Sequence, residues 1–255
     1  MNTVATDLHQ FRPSGRIQEK NMGFFDRLRE AYRFVHAHEA YYKQLLLGLG
    51  VFLIGMAANI GANIYASQKT VLVVNDLILD LLPVFNINYL YVEGAILLIL
   101  FAIFLAFYRP QRLPFMLKSI GLFIFIRSFF IILTHLSIPL PNGSAGYLQS
   151  FGALTHFFSS GNDLFFSGHT GFPFLLALIF WKDRLLRYLF LATACFFGVV
   201  VLLGHVHYSI DVFAAFFITY AIHDLSVWLF TKDHKLFHLI KQKIEEAKTP
   251  AQSRS

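Results

Sequence analysis

A chain of 255 residues that is 56% hydrophobic and only 14% charged, with mean hydropathy +0.57, cannot build a water-facing surface; soluble domains carry about 25% charged residues. Its single cysteine, Cys195, lies in an apolar run and excludes a disulfide framework or a cysteine-rich metal site. The net charge of +6 raises nucleic acid as a partner, but the basic residues fall where membrane topology would put them.

In chain order, the first 43 residues are mostly polar and carry no secretory signal. Within them Phe24, Phe25, Leu28, Tyr32, Phe34 and Val35 alternate with Arg27, Arg29 and Arg33. That pattern suits an interfacial helix on an anionic membrane face, and equally an ordinary solvated helix. Six apolar segments follow, near 44–66, 89–108, 115–138, 166–181, 187–204 and 208–230. A spanning helix needs roughly 20 such residues, and the fourth and fifth segments are short, separated only by Lys182, Asp183 and Arg184. No sustained period-2 alternation supports a β-barrel. The tail, 231–255, is polar.

Nineteen of the 21 lysines and arginines flank one side of this six-span arrangement. They occupy the N-terminal segment, the second and fourth connections and the tail; only Lys69 and Arg127 depart from the pattern. The fold expected is an all-α integral membrane bundle of six helices with both termini cytoplasmic. The organisation expected is a basic N-terminal segment (1–43), a catalytic domain (44–230) and a cytoplasmic tail (231–255).

Ionisable side chains inside spans are costly and mark sites. Here they collect at the outward helix ends: Asp163 through Thr170 entering the fourth span, His205 through Asp211 entering the sixth, and Arg127, Thr134 and His135 on the third. On a helix His207 and Asp211 would share a face, and a carboxylate on one imidazole nitrogen raises the basicity of the other. Ser167, Gly168 and His169 stand before Pro173, a residue tolerated in a first helical turn, whose exposed N–H groups favour an anion. Arg127 offers a fork of donors to a phosphate, and His169 can give a proton to a departing oxygen. Together these point to phosphoryl transfer. Zinc bound by His169, His205, His207 and Asp211 is an alternative, although no His-Glu-x-x-His helix accompanies it. Structural pairing of Arg127 with Glu93 or Asp224 is another, and those three residues would be the pathway of a transporter or the framework of a scaffold.

Gly161-Asn162-Asp163-Leu164-Phe165-Phe166-Ser167-Gly168-His169-Thr170 resembles the sphingomyelin synthase motif Cys-Gly-Asp-x-x-Phe/Tyr-Ser-Gly-His-Thr. His207-Tyr208-Ser209-Ile210-Asp211-Val212 is similar to that family's His-Tyr-Thr-x-Asp-Val, and His205 matches its preceding histidine. The stretch from Asp76 to Pro83, including Asp80, resembles its acidic segment after the first span, and Arg127 with Thr134 matches an Arg and Thr seven apart. The resemblance spans roughly residues 45–230. The departures are Gly161-Asn162 for Cys-Gly, Val73-Val74-Asn75 for Pro-Leu-Pro, and Pro114-Phe115 for paired arginines.

This family sits in the type 2 phosphatidic acid phosphatase superfamily. The resemblance implies a triad in which His207 attacks phosphorus, Asp211 orients it and His169 is acid and then base, with no cofactor and no metal. Ser167, Gly168, Asp163, Thr170 and Arg127 are the expected phosphate-binding set; Asp76, Asp80, Thr134 and His205 support it. The implied partners are membrane lipids: a glycerophospholipid donor and a ceramide or diacylglycerol-like acceptor. The wider phosphatases carry an Arg six residues before the nucleophilic histidine, where this chain has Val201. A singly charged phosphodiester needs fewer cations than a monoester dianion, which favours a headgroup transferase over a lipid phosphatase or phospholipase C-like hydrolase. The membrane expected is a bacterial inner membrane with the site facing the periplasm, or an exoplasmic Golgi or plasma-membrane face in a eukaryote.

Overall fold

The computed structural model describes residues 24–36, 39–69, 72–139 and 164–234. Seven α-helices occupy them: α1 (Phe24–His36), α2 (Glu39–Ser67), α3 (Asn88–Tyr108), α4 (Leu113–Leu133), α5 (Gly168–Ile179), α6 (Arg184–Leu203) and α7 (Ser209–Leu229). The described residues hold no strand, only one isolated bridge between Leu72 and Leu136.

Five helices, α2, α3, α4, α6 and α7, are long and apolar enough to cross a membrane. Their outward faces carry Leu, Ile and Phe, which in water would drive aggregation and in lipid need no cover. The chain is an all-α, multi-pass membrane protein. The remaining apolar helix, α5, has only 12 residues, about 18 Å of rise against a hydrocarbon core of about 30 Å. Its Leu175, Leu176 and Ala177 are wholly buried, so it runs inside the bundle rather than against lipid.

Close contacts fix the helix directions. In α2 and α4, Gly48 meets Pro114, Gly55 meets Gly121 and Ala62 packs with Ile131, so these two helices run parallel. A Cβ on Gly55 would lie 2.4 Å from the Gly121 carbonyl oxygen; only glycine lets the backbones approach this closely. Ser167 at the start of α5 donates its N–H to the Asp211 carbonyl in the first turn of α7 at 3.1 Å, making α5 and α7 parallel. Arg112, at the start of α4, reaches the Ile179 carbonyl at the end of α5 at 3.5 Å, so α4 opposes α5. Phe85, just before α3, bonds the Leu203 carbonyl at the end of α6 at 2.8 Å. The helices from α2 to α7 therefore alternate in direction, and the starts of α3, α5 and α7 meet at one end of the bundle.

Local chemistry sets these boundaries. Pro114 stands in the first turn of α4, where its missing N–H costs nothing. Asp183 caps α6 by accepting from Leu186 N–H at 3.4 Å. The third expected span overran: α4 stops at Leu133, not 138. Thr134 takes extended geometry, and the following backbone turns away to bond Leu72, whose N–H reaches the His135 carbonyl at 3.2 Å. The amphipathic N-terminal helix forms as α1, with Tyr32 donating to the Phe107 carbonyl at the far end of α3, Arg33 exposed and Val35 buried. At that same end Lys118 is not a solvated topology marker. It is buried, with its ammonium 2.5 Å from Asp233 Oδ2 and 2.7 Å from Gln44 Oε1, tying the chain after α7 into the bundle.

Candidate active site

Where α5 and α7 begin, the two histidine motifs are joined through their backbones by the Ser167–Asp211 bond. Ser167 is the N-cap of α5; its hydroxyl accepts from Thr170 N–H at 3.4 Å and lies 3.3 Å from the Thr170 hydroxyl, and both residues are fully buried. On α6, Gly198 faces Thr170 and the Val212 side chain, and a Cβ there would stand 3.1 Å from Val212.

His207 does not share a helical face with Asp211, because α7 begins only at Ser209. The pair is made by a capping box: Asp211 is the third residue of α7, and its Oδ2 accepts the Tyr208 N–H at 3.0 Å. That places the same oxygen 3.4 Å from His207 Nδ1. Nδ1 has a closer partner that the sequence did not indicate, the Leu164 carbonyl at 2.9 Å. Both neighbours of Nδ1 are acceptors, so this nitrogen carries a proton, and in the neutral ring Nε2 keeps its lone pair. Asp211 is wholly buried, and its second oxygen, Oδ1, has no hydrogen-bond partner among the described residues.

His169 is the second residue of α5. Its ring stacks on Tyr91 of α3, centroids 3.9 Å apart and planes 26° apart, with Phe197 of α6 tilted at 5.6 Å. Two aromatic walls from neighbouring helices thus fix the plane of the second histidine. Pro173 is the sixth residue of α5, beyond the first turn expected for it. It has no N–H to give the His169 carbonyl, which loosens the helical ladder at this turn.

Arg127 of α4 is anchored by its Nε, which donates to the Phe166 carbonyl at 3.1 Å. A Cβ on Gly168 would lie 3.3 Å from that Nε, so the glycine brings the Ser-Gly-His turn against the guanidinium. Asp224, a structural alternative as its partner, sits thirteen residues beyond Asp211 on α7, about 20 Å down the helix. Glu93 is exposed.

The supporting residues act through the backbone. Asp76 Oδ2 accepts the Ser209 N–H at 2.6 Å, capping α7 from a distant loop, while its Oδ1 takes the N–H groups of Ile78 and Leu79 at 3.0 and 3.2 Å. Burial would raise the Asp76 pKa, but these hydrogen bonds, led by Ser209 and Leu79, outweigh it and hold the carboxyl below its ordinary value. Asp80 is exposed. Thr134 caps α4, its hydroxyl donating to the Phe130 carbonyl at 3.0 Å. Tyr208, quoted above only as a motif position, is a buried hub: its hydroxyl accepts from Val74 N–H at 3.2 Å and donates to the Ser137 carbonyl at 2.9 Å.

His205 ends α6. It has φ +50°, a left-handed conformation that favours glycine. Its N–H bonds the Leu202 carbonyl at 3.0 Å and Val206 N–H bonds the Val201 carbonyl at 3.1 Å, the pattern of a Schellman cap. The imidazole Nε2 lies 3.2 Å from the Leu82 carbonyl, tying the end of α6 to the loop before α3. With His205 and His207 held on different carbonyls, the described residues contain no group of three or more His, Cys, Asp or Glu side chains placed to hold a metal ion. Asp163 lies outside the described residues.

Residues 160–228 match the family model for the PAP2 superfamily C-terminal region. Both histidine motifs fall within this match, whereas Arg127 and Asp76 precede it. The PAP2 match supports the type 2 phosphatidic acid phosphatase superfamily and a lipid enzyme of the phosphatase or phosphotransferase type. No curated protein and no solved structure matches the chain.

Proposed function

We propose that the chain is a membrane lipid phosphotransferase of the sphingomyelin synthase type. It moves a phosphocholine- or phosphoethanolamine-like headgroup from a glycerophospholipid to a ceramide or similar lipid alcohol. The observation that carries the reading is the His207 environment: two acceptors on Nδ1 leave Nε2 as the nucleophile. Nε2 attacks phosphorus, the P–O bond to the glycerolipid breaks, and the departing oxygen takes a proton from His169. The acceptor hydroxyl then loses its proton to His169 and its oxygen displaces the Nε2–P bond, returning both histidines to their starting state. Asp211 offsets the positive charge that the His207 ring gains, and Arg127 with the α5 N–H groups holds the phosphate oxygens.

The site would face the outer side, the periplasm in a bacterial inner membrane, with the catalytic unit in residues 44–230. Water attacking the phosphohistidine instead of a lipid alcohol would make the same triad a hydrolase. Phe166 is fully buried against Phe123 and Phe130, so it is core, while Phe165 is half-buried against Phe130 and available as a wall against water. The test is lipid mass spectrometry of purified protein given glycerophospholipid with and without ceramide. Headgroup on the new lipid and faster donor consumption are expected. Headgroup phosphate released to water at a rate indifferent to ceramide or diacylglycerol would replace transfer by hydrolysis.

A further inference from the structure

The two histidine rings stand in different settings. Hydrogen bonds at Nδ1 orient His207, whereas the half-buried His169 lies face to face with Tyr91, centroids 3.9 Å and planes 26° apart. The last torsion of a histidine side chain is broad and roughly two-fold, so neighbours choose the plane of the ring. A hydrogen bond at a ring nitrogen favours one protonation state. Stacking engages the faces instead and holds the plane whether the ring is neutral or cationic, since a tyrosine face also attracts a cation. A group that is acid in one half-reaction and base in the next is suited to the second setting.

The packing of α3 serves this contact. Tyr91 is the fourth residue of the helix. Just before it, Phe85 N–H bonds the Leu203 carbonyl at 2.8 Å, and Ile87 sits so close over Gly204 that no Cβ would fit there. The start of α3 is thereby pinned to the end of α6. Three residues beyond Tyr91, a Cβ on Gly94 would stand 3.1 Å from Phe197 Cζ, so the glycine admits the ring that tilts against His169 at 5.6 Å. Tyr91 also packs on the apolar cluster that contains Val206 and Val212, the sequence neighbours of His207 and Asp211. One tyrosine thus stands between the two histidine motifs.

We propose that Tyr91 is a positioning residue for proton transfer, its ring holding the plane of His169 through both half-reactions. The proposal rests on the phosphotransferase reading, in which His169 protonates the departing oxygen and then takes the proton of the acceptor hydroxyl. Tyr91 itself gains and loses no proton.

The test uses full-length protein in mixed micelles with a glycerophospholipid labelled in its headgroup phosphate. Samples quenched in alkali give the rate and final amount of adduct on the His207 peptide, and then the rate of its chase by ceramide. Tyr91→Leu removes the ring faces and should slow both rates about tenfold, the upper worth of one aromatic pair. The final amount of adduct and the donor concentration for half-maximal rate should not change. Tyr91→Phe keeps the faces and should stay within about threefold of wild type. Tyr91→Met, also without ring faces, gives the same comparison if leucine unfolds the start of α3. Either rate left unslowed in the ring-less variant, a fall in the amount of adduct alone, or Tyr91→Phe as slow as Tyr91→Leu would overturn the proposal and leave the triad standing. A wild type that forms no adduct on His207 would overturn the phosphotransferase reading, and this proposal with it.

Discussion

Replacing Asp211 with Asn separates charge from architecture at the proposed nucleophile. Asparagine keeps an oxygen to accept the Tyr208 N–H now bonded at 3.0 Å, so the start of α7 survives. The Leu164 carbonyl at 2.9 Å still selects the Nδ1–H tautomer. What disappears is the negative charge 3.4 Å from a ring that, in the proposed attack of Nε2 on phosphorus, turns cationic. At an effective dielectric near 20, a unit pair at about 4 Å is worth about 4 kcal/mol, which is about a thousandfold in rate. Because this interaction grows only as the bond forms, the loss falls on kcat and leaves KM nearly unchanged. The assay is initial rate against donor concentration in mixed micelles, with the thermal midpoint in the same detergent as the fold control. A variant with unaltered kcat, or with raised KM alone, would refute the role given to Asp211.

Four further outcomes follow from the same geometry. Arg127→Lys keeps the charge but loses the fork and the Nε bond to the Phe166 carbonyl; kcat should fall at least tenfold, about 1.4 kcal/mol, and a wild-type rate would make Arg127 a simple counter-charge. Gly121→Ala puts a Cβ 2.7 Å from the Val51 carbonyl oxygen, and should lower stability by about 1–3 kcal/mol in thermal unfolding, with no loss if α2 and α4 are not in backbone contact. His205→Gly should unfold at a higher temperature than His205→Ala, by about 1 kcal/mol, since only the alanine retains the cost of φ +50°. Asp76 has a lowered pKa, so its stabilisation is complete above the ordinary carboxylate range and is lost as pH falls through the lower folded value. The melting gap between wild type and Asp76→Asn should therefore be full at pH 7 and close in acid; a gap constant with pH would contradict it.

How much of this was legible in the sequence depended on the physics involved. Long apolar runs gave α2, α3, α4, α6 and α7 to within a few residues, because an apolar span is a one-dimensional signal. The end of α4 falls short of the expected span because Thr134-His135-Leu136-Ser137-Ile138 holds no proline, glycine or permanent charge to mark a stop, and the Leu72 pairing, which is tertiary, draws it into extended geometry. The His207–Asp211 proximity was expected from a helical interval and is produced by a cap, so the right pair came with the wrong geometry. The Leu164 carbonyl carries no sequence signature, and nothing in the sequence shows that Tyr91 stacks on His169 or that Tyr208, marked only by its place in the second motif, bonds Val74 and Ser137. A backbone oxygen has no residue type, and tyrosines in a membrane protein are more often interfacial than placed. Asp76 was singled out for its acidity, yet its work is to cap a helix 133 residues away.

The central claim is that His207 Nε2 becomes covalently bonded to phosphorus. Wild-type protein and His169→Ala, incubated with a glycerophospholipid labelled in its headgroup phosphate and quenched in alkali, should both be mapped by peptide mass spectrometry. The expected result is an acid-labile phospho-headgroup adduct on the peptide containing His207, formed in the wild type, chased by added ceramide, and absent from His207→Ala. Turnover with no adduct on that peptide, or an adduct that persists in His207→Ala, would contradict the account.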